Sequence, residues 1–163
     1  MVLTWIYDLD LTLYSYPGSL ENFDYHQMEF DRELKRKIQR LPGKKVLFTN
    51  GNLLHTLACI KKMKLQNTFH KVSCRELTGF KPAMTAYLNL YDVANINLND
   101  YCYFFEDTID NLKPAKELGW TTVYIGKEPQ IIELITKSIV GYVDYHFPDI
   151  SSALEYFRQD FQV

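Results

Sequence analysis

The chain has 163 residues, enough for one domain with a sizeable hydrophobic core. Its hydrophobic content of 47% and charged content of 23% are typical of soluble globular proteins. The net charge of −2 provides no overall attraction to nucleic acid or to an anionic membrane.

The sequence has no pattern typical of a membrane span, of a signal peptide or of disulfide-bonded cysteines. No stretch approaches the roughly 20 apolar residues that a membrane span needs, and no signal peptide precedes the first apolar run. Cys59, Cys74 and Cys102 are odd in number and lack metal-ligand spacing, so we expect reduced, mostly buried thiols. The sequence therefore predicts a cytoplasmic protein with no membrane partner.

The first predicted strand is the apolar run Val2–Tyr7, which is short and apolar on both faces, as in a buried strand. It ends in two carboxylates, Asp8 and Asp10. Ligands bind at the carboxyl ends of strands in open α/β sheets, so this pair indicates a site. The alternative is a strand that leaves the core into a polar turn, with Asp10 as a helix cap.

A loop and one helix follow. Tyr14–Ser19 is rich in turn residues, and apolar positions from Phe30 to Leu41 recur at helical spacing until Pro42 and Gly43 end the helix. The other face of this helix and the residues after it are basic: Arg32, Lys35, Arg36, Lys37, Arg40, Lys44 and Lys45. This basic face is either a solvated helix surface or a docking patch for a phosphorylated polymer.

Strands and helices then alternate to the end of the chain. Further strands are predicted at 45–48, 69–74, 101–105, 121–125 and 142–147. Intervening helices are predicted to begin after Asn52, at Phe80–Pro82, near Asp110, at Pro129 and near Ile150. The first of these is expected to bury Leu53, Leu54, Leu57, Ile60 and Met63, and the second Met84, Tyr87, Leu88 and Tyr91. Such alternation predicts an α/β fold, with a Rossmann-like parallel sheet and helices on both faces, in a single domain over 1–163.

Polar groups follow four of these elements: Asp8 and Asp10, Thr49 and Asn50, Lys81, and Glu106 and Asp107. Because the carboxyl ends of parallel strands share one edge, these side chains can converge. Clustered carboxylates need a cation, and an oxygen-only ligand set favours Mg²⁺. Lys81 and the helix amino terminus after Thr49 provide positive potential for an anion. Together these groups indicate a phosphoryl-transfer site.

The motifs resemble those of the haloacid dehalogenase superfamily of aspartate-nucleophile phosphatases. The matching segments are Tyr7–Thr12, Leu47–Asn50, Gly79–Pro82, and Phe104–Thr108 with Asn111 and Ala115–Gly119, in the family's order. Asp8–Tyr14 and Phe48–Asn50 look most like the pyrimidine 5′-nucleotidase-like branch.

The resemblance implies a role for each site residue. Asp8 would attack phosphorus and form an aspartyl-phosphate, and Asp10 would act as general acid and then base. Thr12 would orient Asp10. Mg²⁺ would be held by Asp8, the Asp10 carbonyl, Asp107 and Glu106, the last directly or through water. Phosphate would be bound by Leu9, Thr49, Asn50 and Lys81. Thr49 as a simple helix cap and Lys81 as a surface residue are the alternatives.

Two departures from the family pattern bear on substrate access. Leu11 stands where the family often has Gly or Asn, so we expect a more tightly packed turn there. The segment 13–44 has room only for a short loop and helix insert in place of a cap domain, and within it the loop 13–24 is the best candidate for a lid. An open site is expected to be shielded by homo-oligomerisation or by a large substrate.

The histidines His26, His55, His70 and His146 have no partnered spacing and are interpreted as structural or surface residues. Three functions are open. The first is a Mg²⁺-dependent phosphomonoesterase on a small ester such as a nucleotide. The second is a phosphatase on a phosphoprotein or a nucleic-acid end, docked by the basic face. The third is a non-catalytic binding protein.

Overall fold

A computed structural model describes residues 1–161, which contain one parallel six-stranded sheet. The strands are β1 (Leu3–Tyr7), β2 (Lys44–Phe48), β3 (Lys71–Ser73), β4 (Tyr101–Glu106), β5 (Thr121–Ile125) and β6 (Tyr145–Phe147). Their order across the sheet is β3-β2-β1-β4-β5-β6. The α-helices are α1 (Arg32–Arg40), α2 (Leu53–Lys62), α3 (Arg75–Thr78), α4 (Met84–Val93), α5 (Leu112–Glu117), α6 (Pro129–Thr136) and α7 (Ile150–Asp160). The predicted α/β Rossmann-like sheet is confirmed.

The two faces of the sheet carry separate cores, because successive strand residues point to opposite sides. Trp5 and Tyr7 pack with α1, α2 and α7 on one face. Ile6 packs with α4 and α5 on the other, and α6 covers its margin through half-buried side chains. None of the helices within residues 1–161 is both long enough and apolar enough to cross a membrane.

The predicted buried face of α2 is wrong for three of its five residues. Leu53, Leu54 and Leu57 are exposed, with Leu54 at 80%. The helix instead buries Thr56, Cys59 and Ile60, which lie at neighbouring helical spacing and contact the sheet. In α4, Leu88 is likewise exposed, whereas Ala86, Tyr87 and Leu90 are buried. The predicted residues Ile60, Met63 and Tyr87 are buried as expected, so only part of each predicted face is wrong.

The helix predicted to open at Phe80–Pro82 begins later, at Met84. The Asn50 side chain accounts for the difference, because it binds both backbone polar groups of Lys81. The Lys81 amide donates to Asn50 Oδ1 at 2.8 Å, and Asn50 Nδ2 donates to the Lys81 carbonyl at 3.0 Å. These contacts hold residue 81 outside any helix, on a turn that follows the short helix α3.

The segment 13–44 consists of a loop with two short 3-10 helices, Leu20–Asn22 and Tyr25–Gln27, followed by α1. Phe23 lies at the centre of the loop. Its ring is 4.4 Å from the Tyr16 ring and 4.8 Å from the Tyr25 ring, measured between centroids, and 5.0 Å from the His55 ring on α2. Aromatic packing thus fixes this loop beside the carboxyl edge of the sheet.

Candidate active site

The polar residues predicted to converge do converge, at the carboxyl edge of the sheet. They line a cleft of about 530 Å³ that contains Asp8, Asp10, Thr49, Asn50, Lys81, Glu106 and Asp107. Asp8 directly follows β1, and Glu106 ends β4, the strand that pairs with β1. The parallel register of these central strands therefore brings together carboxylates that are far apart in sequence.

Lys81 is the buried cation of the cleft, with only 4% of its surface exposed. Its Nζ lies 3.0 Å from Asp8 Oδ1, 2.9 Å from Glu106 Oε2 and 2.7 Å from the Phe48 carbonyl oxygen. The surface-residue alternative for Lys81 is therefore wrong. The three acceptors use all three N–H bonds of the ammonium group.

Burial and charge shift the ionisation of this cluster. Burial opposes ionisation of Asp8, but Lys81 and hydrogen bonds from Asp107 and Glu106 hold the pKa of this carboxyl below its usual range. Burial would also lower the pKa of Lys81, yet Asp8 and Glu106 raise it. Burial and the Asp8 charge raise the pKa of Glu106 to about 7 and that of Asp107 to about 9. One buried ammonium therefore cannot neutralise three carboxylates.

These carboxylates meet the requirements of a hard cation. One oxygen each of Asp8, Glu106 and Asp107 lies within 4.8 Å of the others. The Thr12 hydroxyl is 3.1 Å from Asp8 Oδ2 and 2.9 Å from Asp107 Oδ1, so it spaces these two groups. Oxygen ligands with an excess of negative charge suit Mg²⁺. The expectation that Thr12 orients Asp10 is wrong, because its hydroxyl faces Asp8 and Asp107.

Glu106 is less free than the two aspartates. Its Oε2 accepts from Lys81, and its Oε1 accepts from the Thr108 amide at 3.0 Å. The side chain is 1% exposed. With both oxygens engaged by the protein, Glu106 is better placed to hold Lys81 than to bind a metal directly.

Thr49, Asn50 and Leu9 are all near the predicted phosphate position, but their side chains are used within the protein. The Thr49 hydroxyl accepts from the Gly51 amide at 3.0 Å, and Asn50 holds the Lys81 backbone. The Leu9 side chain is fully buried, so only its backbone amide is suited to contact a phosphate. Phosphate contacts from Leu9 and Asn50 would therefore come from backbone groups.

His55 is a site residue that the sequence interpretation missed. That interpretation made it a structural or surface residue, but its side chain contacts Asp10 in the cleft. His55 Nε2 lies 2.6 Å from Asp10 Oδ1, and Tyr25 OH lies 2.9 Å from His55 Nδ1. Tyr14 also donates a hydrogen bond to Asp10 Oδ1. The only signal for His55 in the sequence was its position in the first turn of the helix that follows Thr49–Asn50.

The neighbouring Cys59 does not complete a metal site with Asp10 and His55, although the three are close. Cys59 Sγ is 3.5 Å from Nε2 and 3.9 Å from Nδ1 of His55. Neither distance is short enough for the sulfur and the ring nitrogens to be held by a strong hydrogen bond. Burial also raises the pKa of the Cys59 thiol to about 12, which disfavours the thiolate.

Leu11 differs from expectation, and part of the basic face is engaged within the protein. Leu11 has a positive φ of 63° and is 42% exposed, so its turn is not more tightly packed. In the basic face, Lys37 donates to the Ser151 hydroxyl, Lys44 donates to backbone carbonyls and Lys45 is buried. The cation at the mouth of the cleft is instead Arg75, which the sequence interpretation did not identify.

Comparisons with known proteins give structural relatives and no sequence relatives. No protein-family model and no curated protein sequence matches the chain. An L-2-haloacid dehalogenase from Xanthobacter autotrophicus aligns with a TM-score of 0.72 and 13% identity, over 97% of this chain and 99% of the other. A D,D-heptose 1,7-bisphosphate phosphatase from B. bronchiseptica, solved with magnesium and phosphate, aligns with a TM-score of 0.71 and 14% identity. This alignment also covers 97% of this chain and 99% of the other.

A HAD phosphatase from Thermococcus onnurineus gives a TM-score of 0.63 at 18% identity. The alignment covers 83% of this chain and 60% of that protein. At such identities the likeness establishes the fold and leaves the activity open, since one fold serves many reactions. The chain therefore has the fold of the haloacid dehalogenase superfamily, as its motifs predicted.

Proposed function

We propose that the protein is a Mg²⁺-dependent phosphomonoester hydrolase that forms an aspartyl-phosphate on Asp8. The observation that carries this proposal is the state of Asp8, whose carboxylate is fixed by Lys81 at the base of an open cleft and kept ionised there. An ionised, immobile carboxylate beside a cation is suited to nucleophilic attack. A binding-only protein has no need of it.

The residues divide the reaction between them. Asp8 attacks phosphorus and the ester P–O bond breaks, while the Asp10 carboxyl group gives its proton to the departing oxygen. Asp10 then takes a proton from water as the water attacks, and cleavage of the bond to Asp8 releases phosphate. Lys81 stabilises the negative charge near Asp8 throughout. When bound by Asp8, Asp107 and the Asp10 carbonyl, Mg²⁺ would offset the repulsion between carboxylates and phosphate.

A small phosphate ester, such as a nucleotide, is the substrate class we propose. The cleft beside Asp10 is lined by Leu11, Leu20, Phe23 and Tyr25, which suit an apolar or planar leaving group. The basic face does not line the cleft among the described residues, so no observation favours a macromolecular substrate. Three free, buried cysteines support our placement of this reaction in the cytoplasm.

The test is hydrolysis of p-nitrophenyl phosphate by the purified chain, followed by a panel of nucleotides and sugar phosphates. We expect activity that requires Mg²⁺, is removed by EDTA and is lost in Asp8→Asn. Asp92→Asn, an exposed aspartate outside the cleft, is the matched control and should retain full activity. Activity that survives EDTA, or that persists in Asp8→Asn, would contradict the proposal.

A further inference from the structure

Asp10 is held from one side by groups on two different segments. The Tyr14 hydroxyl from the loop after β1 and His55 Nε2 from α2 both contact Oδ1 of Asp10. No contact of this kind is made to Oδ2 within residues 1–161. The carboxyl group lines the cleft and has one anchored oxygen, so the other oxygen is the one left to exchange a proton with a ligand.

His55 is itself fixed from both ends. Its backbone amide donates to the Asn52 side chain at 2.8 Å, which caps α2. Its Nδ1 lies 2.9 Å from the Tyr25 hydroxyl, and its ring meets the edge of the Phe23 ring. If Tyr25 donates to Nδ1, the remaining N–H is on Nε2 and points at Asp10. The loop between β1 and α1 that carries Phe23 and Tyr25, here called the aromatic loop, thereby sets the direction of the His55 hydrogen bond.

Gly51 leaves the room that the His55 ring occupies. A Cβ added at Gly51 would lie 2.9 Å from His55 Cδ2 and 3.5 Å from Asp10 Oδ2. A side chain at residue 51 would therefore press on the imidazole, and glycine leaves His55 the position it takes beside Asp10.

We propose that His55 is a positioning residue that fixes Oδ1 of Asp10, so that Oδ2 carries the proton delivered to the leaving group. Tyr25 supports it by seating the imidazole, and Tyr14 shares the same oxygen. This inference rests on the proposed function, since it assigns His55 through the acid role of Asp10. It also gives the aromatic loop a function in catalysis other than closing over the substrate.

Leaving-group chemistry separates positioning from general structural damage. An alkyl phosphate has a poor leaving group and depends on proton delivery, whereas p-nitrophenolate leaves without it. The ratio kcat/KM reports the steps up to the first bond cleavage and is unaffected by the later attack of water. A misplaced Asp10 should therefore lower kcat/KM for the alkyl ester far more than for the aryl ester.

The experiment compares His55→Ala with wild type on an alkyl phosphate and on p-nitrophenyl phosphate, at saturating Mg²⁺. We expect kcat/KM to fall by about 10-fold or more on the alkyl ester and by less than about 3-fold on the aryl ester, a share of the usual general-acid effect. His55→Gln keeps an N–H donor at the same number of bonds from Cβ as His55 Nε2, and it should recover most of the activity on the alkyl ester. His70→Ala is the matched control, because His70 bonds the Lys45 amide outside the cleft.

The results with the two esters decide whether His55 has this positioning role. Equal losses on both esters, or no recovery in His55→Gln, would overturn the positioning role while leaving the proposed function intact. If wild type hydrolyses neither ester, the proposed function fails and the inference fails with it. If His55→Ala does not fold, Tyr25→Phe takes its place as the variant expected to lose alkyl activity, because Tyr25 seats the imidazole. An unchanged alkyl-to-aryl ratio in Tyr25→Phe would then overturn the positioning role.

Discussion

Leu11 has a backbone conformation that its side chain disfavours. Its φ of 63° lies in the left-handed region, which costs about 1–2 kcal/mol for a residue with a Cβ, although asparagine tolerates it. Leu11→Asn should therefore raise the free energy of unfolding by about 0.5–1 kcal/mol, after the loss of partly buried apolar surface is deducted. Urea titration measures this change.

The matched control is Leu98→Asn, at a leucine that is 83% exposed. Its φ is not positive, so no strain is relieved and stability should stay within about 0.5 kcal/mol of wild type. Equal effects of the two substitutions would show that the turn at Leu11 stores no strain.

The part of the site that could be predicted from the sequence is the set of polar residues at the ends of strands. Asp8 follows from chemistry alone, because a buried strand has no packing use for a carboxylate at its end. The role of Lys81 followed from the resemblance of Gly79–Pro82 to a family motif. His55 could not be predicted in this way. Its two partners, Asp10 and Tyr25, are distant in sequence, and one of them lies on a loop without periodicity. Only the packing of that loop against α2 brings the three together.

At the scale of the element, α2 shows how an apolar pattern can mark the wrong face. The helix carries two apolar stripes, and the sheet accepts the one with Cys59 and Ile60. The leucines Leu53, Leu54 and Leu57 lie on the exposed side of the helix. The strands and six of the seven α-helices were predicted in the right order, whereas the short helix α3 was missed. The rotation of a helix about its own axis depends on its neighbours.

Truncations along α2 test this orientation. Ile60→Ala should lower the free energy of unfolding by about 2–4 kcal/mol, because Ile60 is 6% exposed and a cavity would remain. Leu54→Ala should change it by less than about 0.5 kcal/mol, since Leu54 is 80% exposed. Thermal or chemical denaturation checks both. Comparable losses at the two positions would contradict the observed orientation of α2.

At the scale of the whole molecule, the buried carboxylates make stability depend on pH. Asp107 has its pKa raised to about 9, so the folded protein retains a proton that the unfolded chain loses near pH 4. Stability of the metal-free protein should therefore fall as pH rises from about 5 to about 9, by up to about 1.4 kcal/mol per pH unit for each retained proton. Denaturation midpoints across this range measure the slope.

Asp107→Asn separates this contribution from others. The amide is neutral at every pH in the window, so the variant should show a flatter profile and exceed wild type in stability near pH 8. Mg²⁺ should stabilise wild type more than the variant, because a ligand that binds the folded state shifts unfolding by mass action. An unchanged slope in Asp107→Asn would assign the pH dependence to groups outside the cleft.

The three hydrogen bonds of Lys81 have a consequence for how an anion enters. Each N–H of the ammonium group already has a protein acceptor, so a phosphate oxygen can reach Lys81 only by replacing one of them. The Phe48 carbonyl belongs to the sheet and Asp8 is the attacking group that we propose, which leaves Glu106 as the contact to exchange. Its released carboxylate then needs another positive partner. Anion and cation occupancy are thus linked, and inorganic phosphate should tighten the binding of Mg²⁺ by the same factor by which Mg²⁺ tightens the binding of phosphate.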